Sequence, residues 1–112
     1  MTRFWRVLIN EVHRMKIDMK KNGGELTVAL EGRLDTLTSP ELEDRLGSAL
    51  DDVDRLIFEL SGLNYISSAG LRVLLGALQV MEDRDGMAIR NVTLPVMDVF
   101  EITGMTEELD IG

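Results

Sequence analysis

The sequence predicts a single-domain α/β fold, a mixed β-sheet with helices packed against it. Two observations carry that expectation. Apolar segments of strand length alternate with segments whose apolar residues repeat at helical spacing, and no internal repeat or low-complexity linker interrupts the order. Strands followed by returning helices call for right-handed crossovers that lay the helices on the sheet. At 112 residues the chain is long enough for one core and too short for two.

Each element has a local reason. Ile17 to Lys20 begins a hairpin whose turn is Asn22, Gly23 and Gly24, followed by Leu26, Val28 and Leu30 alternating with Thr27, Ala29 and Glu31. Gly32 to Thr36 then leads to Ser39 and Pro40, the cap-then-proline order of a helix start. Leu42, Leu46, Ala49 and Leu50 supply the buried stripe of that helix, which runs to about Leu50. Asp51 and Asp52 turn into a strand from about Arg55 to Leu60. Its run Leu56, Ile57, Phe58, Glu59, Leu60 is nearly continuous in apolar character, as suits a strand covered on both faces. Beyond Ile66, residues Leu71, Leu74, Leu75 and Leu78 mark a second helix, expected to end at Asp85 and Gly86. Met87 to Ile89 reads as a short strand and Asn91 to Pro95 as a loop. Val96, Val99, Phe100 and Thr103 share one face of a third helix that Gly104 closes, and Leu109 to Ile111 adds an edge strand.

Met1 to Arg14 reads as an N-terminal extension ahead of a domain spanning Met15 to Gly112. Phe4, Trp5, Leu8 and Val12 fall near one helical face with Arg3, Arg6 and Arg14 elsewhere, a pattern that suits a membrane-surface helix. The plainer readings are a frayed terminus or an upstream start codon, with Met15 beginning the native chain. Val7 to Ile9 is too short for a signal-peptide core, and no run approaches the roughly 20 apolar residues that span a bilayer. A soluble, cytoplasmic protein is expected.

Composition excludes several chemistries. A formal net charge of -8, from 20 acidic and 12 basic residues, opposes a nucleic-acid partner, because phosphates are neutralised by clustered Lys and Arg. The absence of cysteine excludes disulfides, thiolate metal sites and thiol catalysis, and a lone histidine, His13, cannot build a histidine metal site. No cofactor is expected. The acidic residues Glu41, Glu43, Asp44, Asp51 and Asp52 read as a solvated face. Met81, Met87, Met97 and Met105 read as core fillers, the alternative being a plastic binding surface.

The informative segment is Asn64 to Leu75, where Ser67 and Ser68 stand between an apolar strand and an amphipathic helix. The first N–H groups of a helix lack intrahelical partners and attract anions. A serine there is either a cap or the carrier of a phosphate. Tyr65 packs beside this turn or presents its hydroxyl there.

The order of elements, the Ser67 to Leu71 segment, the Glu31 to Asp35 segment, and Asn91 through Pro95 to Phe100–Gly104 together resemble the STAS domain, named for sulfate transporters and anti-sigma factor antagonists. The resemblance covers Met15 to Gly112 and implies a STAS-like fold and a regulator of bacterial transcription. In the antagonists the turn reads Asp, Ser, Ser or Thr, Gly, Leu, and the hydroxyl after the Asp accepts a phosphate. Aligning on Gly70 and Leu71 places the acceptor at Ser68, with Ser67 as the alternative. Here Ser67 stands in place of the Asp and Ala69 in place of the second hydroxyl residue, which removes a charge beside the acceptor.

The resemblance implies a partner that is both anti-sigma factor and serine kinase, and a metal-dependent phosphatase that reverses its action. Asp35, Ser67, Ala69, Gly70 and Leu71 are the expected contact residues, with Gly70 letting the partner approach closely. A phosphoserine adds about -1.5 to -2 charges, which block docking rather than unfold the domain. The alternative within the family is a scaffold that carries no phosphate, or the soluble subunit of a membrane lipid-transport assembly. A serine hydrolase is disfavoured, because Ile66 occupies the first glycine position of a Gly-x-Ser-x-Gly elbow and only His13 is available as base. A Gly-rich Lys motif for nucleotide phosphates is missing as well, so no enzymatic activity is expected.

Overall fold

A computed structural model describes residues 15–112. The elements are β1 (Met15–Asn22), β2 (Glu25–Leu34), α1 (Ser39–Ala49), β3 (Arg55–Ile66), α2 (Ser68–Met81), β4 (Met87–Arg90), α3 (Leu94–Thr103), a single 3-10 turn (Met105–Glu107) and β5 (Asp110–Ile111). The expected extension, with Trp5 and His13, lies outside the described residues.

The strands form one five-stranded sheet in chain order, β1-β2-β3-β4-β5. Gly23 and Gly24 join β1 to β2 as an antiparallel hairpin, in which Met19 faces Val28 and Ile17 faces Leu30. The remaining pairs are parallel. A parallel neighbour has to be reached by a crossover, and α1, α2 and α3 are those crossovers. This is the mixed α/β arrangement expected.

Alternate strand residues Val28, Leu30, Leu56, Phe58, Leu60 and Ile89 join one buried core with Leu42 and Leu46 of α1, Leu71, Leu74, Ala77 and Met81 of α2, and Val96 and Phe100 of α3. Three of the four methionines singled out are core, Met81, Met87 and Met105, while Met97 is half-buried. The five acidic residues of α1 and the turn after it are exposed.

Several local expectations are corrected, among them the loop read over Asn91 to Pro95, whose last two residues already belong to α3. Ile57 and Glu59 are half-buried between fully buried neighbours, so the middle of β3 is sealed on one face and partly open on the other. Only in β4, where Met87, Ala88 and Ile89 are all buried, does the two-sided pattern hold. The start of α1 lies one residue earlier than expected, with Thr38 at the cap position and Ser39 already helical. Helix α2 stops at Met81, ahead of the turn that reaches Gly86, because the chain must reverse before β4.

The largest difference is the length of β3. It continues to Ile66, past Ser61, Gly62 and Asn64, because it stays paired with β2 through two register shifts that absorb the extra residues. β4 accompanies it only from Leu56 to Glu59. The last stretch of β3 therefore has β2 on one side and no ladder on the other. Thr93, just ahead of α3, reaches across to it, its hydroxyl donating to the Leu63 carbonyl at 2.6 Å.

Candidate functional site at the carboxyl ends of the strands

The parallel strands β2, β3 and β4 point their carboxyl ends the same way, toward the side of a sheet where crevices commonly bind ligands and partners. β2 and β3 end side by side, with Leu34 opposite Ile66, so Asp35 to Thr38 and Ser67 meet there, while β4 stops earlier and Asn91 to Thr93 lies beside Glu59 and Leu63.

The two serines divide the roles left open by the sequence. Ser67 is the cap of α2, with extended backbone (φ -100, ψ 175), and its hydroxyl accepts from the Gly70 N–H at 3.4 Å. Its own N–H donates to the Leu34 carbonyl at 2.9 Å, and its carbonyl accepts from Leu71 N–H at 2.9 Å, so backbone and side chain are both engaged. Ser68 is the first helical residue and is exposed. Serine and aspartate are comparably good caps, so Ser67 keeps the local geometry that a carboxylate would give while leaving the turn neutral.

Gly70 is buried, and a Cβ there would lie 2.8 Å from Leu34 Cγ, 2.8 Å from Ile66 Cγ1 and 2.9 Å from the Leu34 carbonyl oxygen. The close approach that requires glycine is thus to the chain's own β2 end, not to a partner. Leu71 is likewise turned into the core at 7% exposure. Of the expected contact residues, these two shape the turn from beneath, while Ser68 is exposed and Ala69 and Ser67 are half-buried.

Asp35 is spent mainly on its own loop. Its carboxylate accepts from the N–H groups of Leu37 at 3.0 Å and Thr38 at 3.1 Å, and its N–H donates to the Thr38 hydroxyl at 2.9 Å. That hydroxyl donates in turn to the Arg33 carbonyl at 2.7 Å. Arg33 lies 3.7 Å from the Asp35 carboxylate and stacks 4.2 Å from the centroid of the half-open Tyr65 ring. Burial opposes ionisation of Asp35, yet the Thr38 and Leu37 amides, the Thr38 hydroxyl and Arg33 together hold its carboxyl below the ordinary value of 3.8.

The folded value being the lower one, the stabilisation is complete above pH 3.8 and fades as pH falls through the folded value. Asp35→Ala should therefore cost about 1 kcal/mol at pH 7 in urea unfolding, and the gap from the parent should narrow by pH 3. A gap of constant size over that range would show that the carboxylate charge plays no part.

Of the large exposed apolar residues on this side, sequence reasoning singled out Tyr65 but not Leu37 or Leu94. Leu37, on the connection after β2, is 64% exposed and Tyr65, at the end of β3, is 39% exposed, while Leu94, the first residue of α3, is 80% exposed. Each follows or precedes a turn residue, a weak signal that becomes meaningful only in the assembled fold. Thr38, the hub of the Asp35 loop, was missed for the same reason.

A mixed sheet whose central strand delivers a capped serine turn, with an Arg-Leu-Asp loop locked beside it, is the architecture of a STAS domain. The chain matches the STAS domain family over residues 16–112 and belongs to that family. A Bordetella bronchiseptica protein named among the anti-sigma factor antagonists, BtrV, is 37% identical over 92 residues, 80% of this chain and 79% of its own. The anti-sigma-B factor antagonist of Bacillus subtilis is 26% identical over 99 residues, 88% of this chain and 91% of its own. SpoIIAA, an anti-sigma factor antagonist solved in its unphosphorylated form, superposes with a TM-score of 0.75 at 19% identity, covering 87% of this chain and 88% of that one. Its phosphorylated form gives 0.68. Among the described residues, no helix is long and apolar enough to cross a membrane.

Proposed function

We propose that the chain is a cytoplasmic anti-sigma factor antagonist, a regulator rather than a catalyst. It binds an anti-sigma factor that is also a serine kinase, so freeing the sigma factor, and phosphorylation of Ser68 ends that binding. The observation that carries the reading is the division of labour at the turn. Ser67 is consumed as the cap, whereas Ser68 is exposed at the first helical position. The names of the relatives support the regulatory class, and SpoIIAA, described in both phosphorylated and unphosphorylated forms, supports a phosphate switch on this fold.

The exposed Leu37 and Tyr65 give the partner apolar contacts around the turn. A phosphoryl group adds about -1.5 to -2 charges at the middle of that surface, and desolvating it against an apolar partner face is costly. The same charge at the start of α2 is locally favourable by about 0.3 to 1 kcal/mol, so the modified domain stays folded. A metal-dependent serine phosphatase restores the binding form.

Ser68→Ala should bind the partner kinase as the parent does and take up no phosphate, while Ser68→Glu should bind at least about tenfold more weakly, a difference of 1.4 kcal/mol. Isothermal titration and intact-mass analysis after incubation with kinase and ATP read both. Equal affinity of the two variants, or phosphate mapped to Ser67, would overturn the switch. Protein from its native cell that never carries phosphate would favour the scaffold or transport-subunit role.

A further inference from the structure

Arg72 stands one helical turn beyond Ser68 on α2, exposed, and has no ion-pair partner among the described residues. On a helix of 3.6 residues per turn, positions four apart lie about 40° apart around the axis, so Ser68 and Arg72 share one exposed stripe. Arg72 also borders a hollow of about 280 Å³ between the starts of α1 and α2, beside Ala69 and facing Thr36, Ser39, Pro40 and Glu43. Glu43 is the carboxylate across that hollow, yet no ion pair joins it to Arg72. Arg72 therefore stands one helical turn from the acceptor, with no ion pair to the Glu43 carboxylate that shares its hollow.

We infer that Arg72 clasps the phosphoryl group of a modified Ser68, folding it along α2 over the Ala69 side of the turn. This rests on the reading of Ser68 as phosphoacceptor and adds how its modified state is held. An anion placed four residues ahead of a cation is the favourable order on a helix. A guanidinium forms paired, charge-assisted hydrogen bonds to phosphate oxygens. The neutral Ser67 leaves no carboxylate at the cap to compete for Arg72 from within the turn. Glu43 remains the competitor from α1, and the dianionic phosphate outweighs its single charge.

The test installs phosphoserine at position 68 of the full chain by genetic encoding, so that no kinase is required and failure of the proposed switch is read separately. The second ionisation of the phosphate is followed by phosphorus NMR at low ionic strength, where an exposed pair is least screened. Arg72→Gln should raise that pKa by roughly 0.3 unit, because the dianion loses its partner. Arg72→Lys should retain part of the shift, and Arg45→Gln, which removes an exposed arginine of α1, should leave it unchanged. An Arg72→Gln protein that titrates like the parent, or an equal shift from Arg45→Gln, would overturn the clasp.

Discussion

Gly70→Val is expected to lower stability by about 3 kcal/mol, with a fall in Tm of about 10 °C or more. The first carbon added already meets Leu34 Cγ and Ile66 Cγ1 at 2.8 Å and the Leu34 carbonyl oxygen at 2.9 Å. One of those contacts is with backbone, which cannot swing aside as a side chain can. The same carbonyl accepts the Ser67 N–H, so relieving the clash pulls the cap away from β2. Gly70→Ala adds only the first carbon and should cost about 2 kcal/mol. Thermal unfolding of the two variants gives the comparison, and an alanine variant as stable as the parent would show that α2 shifts freely against β2.

Leu74→Ala is the second large effect, expected to cost about 3 kcal/mol in urea unfolding. Leu74 is fully buried and lies four residues beyond Gly70 on the inner side of α2. Truncation leaves a cavity beneath the helix that carries Ser68, and a close-packed core fills such a cavity only in part. Because Gly70 and Leu74 seat the same helix, the double variant should depart from additivity, whereas Leu74→Ala with Asp35→Ala should come closer to it. A loss below about 1 kcal/mol would mean that the core closes around the missing side chain.

The elements legible in the sequence are those whose signal is local. The hairpin glycines, the Leu42 and Leu46 stripe, and Gly104, which closes α3 at φ +77, all act through residues close in the chain. What was missed depends on distant partners. The extension of β3 through Ser61 and Gly62 needs β2 beside it, and without that strand those residues carry turn signals. The start of α1 is misplaced by one because Asp35, not a side chain at the cap, satisfies the amides of Leu37 and Thr38.

At the site, Ser67 and Ser68 are equally plausible caps from sequence. Only the Leu34 carbonyl and the fixed seat of Gly70 decide which hydroxyl turns inward. Leu37 and Leu94 carry no linear pattern at all, since their exposure depends on what the folded chain leaves uncovered.

The long β3 gives the serine turn an unusual mount. Between Ser61 and Ile66 the strand projects beyond β4 as a cantilever, with β2 along one side and the Thr93 hydroxyl as a single strut on the other. Leu63 and Ile66 seat this overhang in the core at 0% and 2% exposure, so packing replaces the ladder it lacks on the β4 side. The serine turn is thereby a fixed platform to which a partner's surface must conform, and Thr93, far from Ser68 in sequence, supplies part of its anchorage.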